Sequence, residues 1–242
     1  LLSVSDVIAK SSNVGTAHIA LMIGGERQQA FLKAMGLFDP SPVELVEAKG
    51  AKPLRPAKWP DIVTITASYG HGISGSPLNL AAAYATIANG GIKVTPTLLH
   101  RTSPMQGERV LSEDVAKEAL TMLRRVVTDG TASLGDVPGY AVGGKTGTAD
   151  KSIHGHYQGD KLFTTFMAVT PADKPRYLYL VVMDEPQVIP ETMGFKTAGW
   201  NAGPVTGAVI ERTAPMLGQT PRFDPPANPF PTMVKLGAWG TK

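Results

Sequence analysis

A glycine-rich stretch that ends in lysine and threonine carries the strongest chemical signal of this sequence. Residues 139–146 match the pattern G-x-x-x-x-G-K-T, in which backbone amides and a lysine hold the phosphates of a nucleotide. The apolar run 177–183 ends in Asp184 and Glu185, which are compatible with the magnesium-holding acid of an ATPase. Taken alone, the pattern predicts a nucleotide-binding site.

The flanks of this stretch disfavour a phosphate loop. Such a loop leaves a buried strand and opens a helix, so that unpaired helix amides point at the anion. Here residues 136–139 read Asp-Val-Pro-Gly, which favours a turn, and residues 147–160 show no apolar recurrence at helical spacing. The ATPase is therefore kept only as the last alternative.

Residues 145–148 can instead form an edge strand that holds a carboxylate. In Lys145-Thr146-Gly147-Thr148 the two threonine side chains share one face at a period of two, and the glycine admits a close backbone approach. The hydroxyls would bind the anion, the lysine would supply positive charge, and an exposed N–H could pair with a substrate lying alongside. This interpretation predicts recognition of a carboxylate.

A second polar group, Ser11-Ser12-Asn13, interrupts a helical pattern over residues 5–36. Ser5-Asp6 is the predicted cap of the first helix. The three cap-favouring residues predict a turn, with a second helix beginning near Val14 and a third running from Glu26 to Met35. Taken alone, the triplet is most simply a helix cap.

Together the two groups resemble the motifs of the penicillin-binding proteins, specifically the class B transpeptidases. Ser11-Ser12-Asn13 matches S-x-N, and Lys145-Thr146-Gly147 matches K-[TS]-G, in the order of that family. Residues 69–91, 138–149 and 163–186 are also similar to the family, and the last range leans toward its cell-division members.

The resemblance implies a function and a fold. The function is a peptidoglycan D,D-transpeptidase that cross-links stem peptides ending in D-Ala-D-Ala and is acylated by β-lactams. The fold is α+β and serine β-lactamase-like, with helices flanking an antiparallel sheet. Ser11, Asn13 and Lys145 would be catalytic, and Thr146, Gly147 and Thr148 would bind substrate. No cofactor or metal is implied.

One family motif, S-x-x-K, has no counterpart, because no lysine has a serine three positions before it. The resemblance implies that this nucleophile and the N-terminal part of the fold precede Leu1, so that this segment alone would be inactive. An upstream segment or a partner chain would then complete the sheet, and without it we expect poor solubility or pairing. The expected location is the periplasmic face of the bacterial inner membrane, with an anchor upstream and divisome proteins as partners.

Composition is typical of a globular chain with a substantial core, since 43% of its 242 residues are hydrophobic. The 23 basic and 20 acidic residues are scattered, so no nucleic-acid partner is expected. The lack of cysteine excludes disulfides and thiolate zinc sites, and His154 and His156 have no evident third metal ligand. No apolar run reaches membrane-spanning length.

The elements that must position these residues read as helices followed by a strand hairpin and a closing helix. Residues 163–170 and 176–183 are predicted strands, and their five-residue link predicts antiparallel pairing. Residues 94–101 are expected to be extended, residues 154–156 to lie in a polar loop beside residues 145–148, and residues 219–242 to be a Pro-rich tail after a domain that spans 1–218. The predicted helices beyond the first region are residues 77–88, 113–127 and 202–217. The second of these is expected to bury a stripe of Val115, Ala119, Met122, Leu123 and Val126.

Three alternatives to the transpeptidase stay open from the sequence. A sensor-like penicillin-recognition module would keep the carboxylate site without turnover. A serine β-lactamase would need a deacylating glutamate, for which no motif is identifiable. The ATPase comes last because of its flanks.

Overall fold

The computed structural model describes residues 2–50, 52–103, 105–153 and 156–223, apart from the side chains of residues 152, 153, 156–158 and 160. His154 and the side chain of His156, considered above for a metal, lie outside these residues. Among the described residues, no group of three or more metal-binding side chains could hold an ion. None of the helices in these ranges is both long and apolar enough to cross a membrane.

Seven α-helices form within the described ranges, and local signals explain where they begin. They are α1 (Val4–Ala9), α2 (Asn13–Ile23), α3 (Gly25–Ala34), α4 (Asp61–Ala67), α5 (Pro77–Ala88), α6 (Glu113–Thr128) and α7 (Ala202–Thr213). Helix α5 has the predicted bounds, because Ser76 caps it and Pro77 fits its first position. Helix α7 ends four residues earlier than the expected Leu217.

The predicted break of residues 5–36 into three helices is confirmed, but the predicted cap of the first helix is wrong. Ser3 and Asp6 form a reciprocal capping box, so α1 begins before Ser5. Ser5 lies inside the helix and is only 1% exposed. Its hydroxyl accepts a hydrogen bond from Arg125 in α6, which is a contact that local sequence does not reveal.

Three antiparallel strands form one sheet in the order β1-β2-β3: β1 (Gly143–Ile153), β2 (His156–Thr170) and β3 (Tyr177–Asp184). The predicted antiparallel hairpin is confirmed by the pairing of Phe163 with Asp184 and of Thr170 with Tyr177. Strand β1 runs to Ile153 and β2 begins at His156, and the rest of the polar loop expected at 154–156 lies outside the described residues. A bulge between Asp150 and Lys151 shifts the register there.

The course of β1 decides between the two interpretations of residues 139–146. Lys145 and Thr146 lie inside this strand, paired with Met167 and Phe166 of β2. A phosphate loop would open a helix at this point. The ATPase interpretation is therefore wrong.

The main core lies between the sheet, α6 and α7. Phe166, Val126, Val142 and Ile210 are fully buried there. The stripe predicted for α6 is partly wrong, because Val115 is 49% exposed. Leu123 and Val126 are buried as predicted, and the rest of the buried side follows a three-to-four residue spacing through Ala116, Leu120 and Val127.

The extended segment expected at residues 94–101 pairs with no strand among the described residues. A single bridge joins Ile92 to Arg109 just before it. The segment is held by Glu44, whose carboxylate accepts hydrogen bonds from the Thr97 hydroxyl and the Leu98 amide. Side-chain contacts across some fifty residues therefore replace the pairing that a strand would need.

The first residues of the Pro-rich tail lie against the domain. Gln219 is 4% exposed and donates to the Thr170 hydroxyl over 3.1 Å. Arg222 forms a two-pronged ion pair with Asp173 in the turn between β2 and β3. The boundary at residue 218 stays a prediction, and residues 224–242 lie outside the described part of the chain.

The helical layer formed by α2, α3 and α4 is much less buried than the sheet. Ala20 is the buried residue of α2, and α3 contains none. Large apolar side chains face outward on this layer, with Val14 71%, Met22 69% and Ile62 63% exposed. The motif Ser11-Ser12-Asn13, at the start of α2, therefore borders a thinly packed part of the structure.

Candidate active site

The structure brings Ser11 and Lys145 together although most of the described chain separates them. The Lys145 Nζ donates to Ser11 Oγ over 2.8 Å and to the Thr146 carbonyl over 3.1 Å. Lys145 reaches this place because β1 crosses the core beside α6. Gly144 allows the close strand packing, since a Cβ there would lie 2.3 Å from the Met167 carbonyl oxygen.

Ser11 has an unusual backbone for a residue other than glycine. Its φ is 54°, in the left-handed region. Such a conformation costs on the order of 1–3 kcal/mol and is found at functional sites more than elsewhere. The helix cap of α2 is Ser12, whose hydroxyl accepts from the Gly15 amide, so the simple cap interpretation is wrong for Ser11.

Burial sets the electrostatics of Lys145. It lowers the pKa of the amine to about 8, because a charged amine loses hydration in this half-buried position. A large fraction of the amine is thus neutral at mildly alkaline pH. Since the nitrogen donates to Ser11 Oγ, the serine keeps its own O–H free to donate to another group.

The two threonines of the clamp segment, residues 145–148, have different partners. Thr146 Oγ1 lies 2.7 Å from Thr131 Oγ1, and Thr148 Oγ1 accepts from the Ala198 amide over 3.0 Å. Each hydroxyl therefore has a fixed position and can still bind a ligand. Gly147 faces the neighbouring strand, where an added Cβ would meet Thr165 Oγ1 at 2.6 Å.

One open cleft of about 510 Å³ is lined by Ser11, Thr146 and Thr148, and Lys145 meets it through its contact with Ser11. Within the described sheet β1 pairs on one side only, with β2, so backbone groups on its other side are open to a ligand. An elongated peptide could therefore lie along β1 with its carboxylate at the threonines. The side chains around the cleft are mainly hydroxylic or apolar: Ser11, Thr131, Ser133, Leu134, Thr146, Thr148, Thr197 and Trp200.

Asn13, the third predicted catalytic residue, is set apart from this cleft. It lines a second depression of about 320 Å³, whose other walls include Val14, Leu21, Ile65 and Tyr69. It is exposed at the first turn of α2. The structure thus joins Ser11, Lys145 and the clamp segment, but places Asn13 on the neighbouring surface, and its catalytic role stays a prediction.

Sequence reasoning missed Thr131 and Trp200 as cleft residues. Thr131 follows α6 directly, and a polar residue between a helix and a strand has no distinctive local signal. Trp200 stacks on Phe195, with ring centroids 4.7 Å apart. Its place before α7, in a loop that follows a strand, was the available hint, because such loops commonly carry function.

The fold and the cleft define a class of protein: an α+β fold in which a serine meets a lysine of an edge strand beside a cleft lined by threonine hydroxyls. The sequence profile of the "Penicillin binding protein transpeptidase domain" matches residues 1–210. The chain therefore belongs to the penicillin-binding protein transpeptidase family. Its relatives place it among the class B members of the cell-division type.

Three relatives illustrate the match. The "Probable peptidoglycan D,D-transpeptidase FtsI" of Caulobacter vibrioides is 40% identical over 90% of this chain, which spans 38% of that protein's length. The transpeptidase domain of Burkholderia pseudomallei penicillin-binding protein 3 is 35% identical, with a TM-score of 0.79 over 93% of this chain and 67% of the other. Penicillin-binding protein 3 of Mycobacterium tuberculosis, complexed with ampicillin, is 29% identical, with a TM-score of 0.79 over 94% of this chain and 53% of the other.

Proposed function

We propose that this chain is part of a peptidoglycan D,D-transpeptidase of the cell-division type. It would cross-link stem peptides ending in D-Ala-D-Ala through a serine ester, and the serine would belong to a Ser-x-x-Lys motif preceding the chain. The observation that carries this proposal is the 2.8 Å contact between Lys145 Nζ and Ser11 Oγ. Family membership alone would not require the two motifs to meet in this chain.

The proposed chemistry uses Ser11 and Lys145 for proton transfer. The upstream serine attacks the carbonyl of the D-Ala-D-Ala amide while the lysine of its Ser-x-x-Lys motif takes the hydroxyl proton, and the C–N bond breaks as the leaving nitrogen receives a proton. Ser11 delivers that proton through its free O–H. Lys145, with its pKa near 8, then returns a proton to Ser11 or stabilises the developing charge.

The clamp segment would hold the substrate. The Thr146 and Thr148 hydroxyls bind the terminal carboxylate, and Gly147 keeps the strand surface open. The Thr148 backbone N–H supplies half of the oxyanion hole. Asn13 would hold the donor amide from the neighbouring surface.

A second amine, from a neighbouring stem peptide, would then displace the ester. β-Lactams would trap the same serine by mimicking the donor. Structures of the Mycobacterium tuberculosis relative complexed with aztreonam and with ampicillin support this expectation. The proposed site of action is the periplasmic face of the inner membrane, with an upstream anchor and divisome partners.

Labelling with a fluorescent penicillin tests this function in the complete protein, meaning this chain with the residues that precede it in its gene. We expect Ser-x-x-Lys in those residues and covalent labelling that a Ser→Ala change in that motif abolishes. Ser11→Ala should slow labelling by about 100-fold or more, a typical loss for a proton-transfer group. Ser12→Asn, which preserves a cap of α2, is the matched control and should label normally.

Other outcomes separate the alternatives. An upstream sequence without Ser-x-x-Lys, or a complete protein that resists labelling, would sink the transpeptidase proposal. Sustained turnover of a chromogenic β-lactam would indicate a serine β-lactamase. Labelling without transfer to any amine acceptor would indicate a sensor-like module.

A further inference from the structure

Arg125, in the last turn of α6, makes contacts that the proposed reaction does not use. Its Nη1 donates to Ser5 Oγ over 2.6 Å, and its Nη2 donates to Asp6 Oδ1 over 2.9 Å. Both acceptors lie in α1, 120 and 119 positions earlier in the chain. Asp6 is also engaged by Ser3 in the capping box. One guanidinium therefore binds α1 near its beginning.

The other end of α1 is fastened to the same region. The Ala9 carbonyl accepts from the Thr131 amide over 3.3 Å. The approach is close, since a Cβ on Gly130 would lie 2.3 Å from the Ala9 oxygen. Helix α1 is thus held at both ends by residues at or just after the end of α6, and Ser11 follows it by two residues.

We propose that Arg125 is a positioning residue for this site: by holding Ser5 and Asp6, it sets where α1 ends and thereby the distance between Ser11 Oγ and Lys145 Nζ. Arginine suits this task because its planar fork reaches two acceptors in a fixed geometry. The proposal rests on the proposed function only for its effect on acylation.

If Arg125 only stabilised the fold, replacing it would leave the titration of Lys145 in the folded protein unchanged. The side chains of Arg125 and Asp6 are 35% and 32% exposed, and exposed ion pairs contribute little to global stability. Asp129 also faces Arg125, 3.6 Å from its Nε. The hydrogen bonds with Ser3, and then with Arg125, hold the pKa of Asp6 below its usual value, so Asp6 stays ionised under the conditions of the test.

The direct test measures the titration of Lys145 in the complete protein by competitive acetylation and mass spectrometry over a range of pH. In Arg125→Met, a displaced Ser11 should admit water and raise the pKa of Lys145 from about 8 toward its ordinary value. The acetylation rate of Lys145 at pH 8 should then fall about fivefold for a rise of one unit in its pKa. Lys117→Met removes an exposed charge from the same helix and should leave the titration unchanged.

Acylation by fluorescent penicillin is the second readout. Arg125→Met should lower the second-order rate constant about tenfold or more, because small misplacements of reacting groups cost this much. Arg125→Lys, which keeps the charge without the fork, should recover part of the loss. If Arg125→Met does not fold, Arg125→Lys and Asp6→Asn should show smaller changes of the same sign in both readouts.

The two readouts keep the proposals apart. An unlabelled wild-type protein would contradict the proposed function, whereas the Lys145 titration would still decide the role of Arg125. A folded Arg125→Met protein with an unchanged Lys145 titration would overturn the positioning role. An acylation loss that only follows the folded fraction would overturn it as well.

Discussion

The two motifs of the site stand on very different foundations. Lys145 belongs to a strand whose neighbours Val142 and Phe166 are fully buried in the main core. Asn13 begins a helix in which Ala20 is the buried residue, beside a helix with none. Geometry in the sheet is thus set by packing, whereas geometry at the second motif depends on a few polar contacts. The site therefore joins Lys145, on a tightly packed strand, to Ser11, on a segment positioned largely by hydrogen bonds.

Truncating one aromatic residue in the sheet and one in the helical layer tests whether the two regions differ in packing, and it should give the largest difference in stability. Phe166→Ala should lower the free energy of unfolding by about 3–5 kcal/mol, because it opens a cavity in a closed core. Phe31→Ala, at a position 44% exposed, should cost roughly 1 kcal/mol or less. Urea titrations of both variants make the measurement. Equal losses would show that the helical layer is as well packed as the sheet.

The pH dependence of stability tests the burial of Lys145. Its folded pKa, about 8, is below the unfolded value, so the unfolded chain binds more protons between pH 8 and 10 and stability rises with pH there. Discounted for partial exposure, this rise should be roughly 1–2 kcal/mol. Lys145→Met should remove it when unfolding is measured at pH 7.5 and 9.5. The same rise in both proteins would contradict the burial argument.

Thr131 offers a test of the hydroxyl pair in the cleft. Thr131→Val keeps the shape but removes the contact with Thr146, which should weaken binding of a carboxylate ligand by about 1 kcal/mol, about fivefold. The measurement compares acylation of the complete protein by a penicillin and by its methyl ester. Thr131→Ser retains the hydroxyl and should behave like wild type. An equal loss for the acid and the ester would argue against a role in carboxylate binding.

A polar substitution on the helical layer should have the smallest effect on stability. Met22→Gln, at a side chain 69% exposed, should change the free energy of unfolding by less than about 0.5 kcal/mol. It should also reduce self-association in sedimentation velocity, because it removes part of an exposed apolar surface. Met167→Gln, at a position 2% exposed, is the buried control and should be strongly destabilising. Unchanged association would weaken our expectation of poor solubility.

Local patterns predicted the elements better than they predicted the contacts between them. The helix starting at Pro77 and the hairpin from Phe163 follow from capping and turn chemistry, which act over a few residues. The stripe of α6 was correct at Leu123 and Val126 but wrong at Val115, which is apolar but faces away from the sheet. A hydrophobic pattern predicts that a helix has an apolar face, but it does not tell which element packs against that face.

The site shows the same limit. Ser11 and Lys145 could be selected because both belong to short motifs, and their order along the chain supported the pairing. Thr131 and Arg125 belong to no motif, and their roles depend on contacts with Thr146, Ser5 and Asp6 that only folding creates. Asn13 was grouped with Ser11 because both match S-x-N, yet Ser11 lines the cleft and Asn13 lines a second depression.

The left-handed backbone of Ser11 has a consequence for how this position can vary. Glycine adopts that conformation without strain, so Ser11→Gly would relieve about 1 kcal/mol while deleting the hydroxyl that meets Lys145. Selection for stability alone would therefore drive the position to glycine. The serine thus costs this fold some of the stability that a glycine would recover, and it supplies the hydroxyl that meets Lys145.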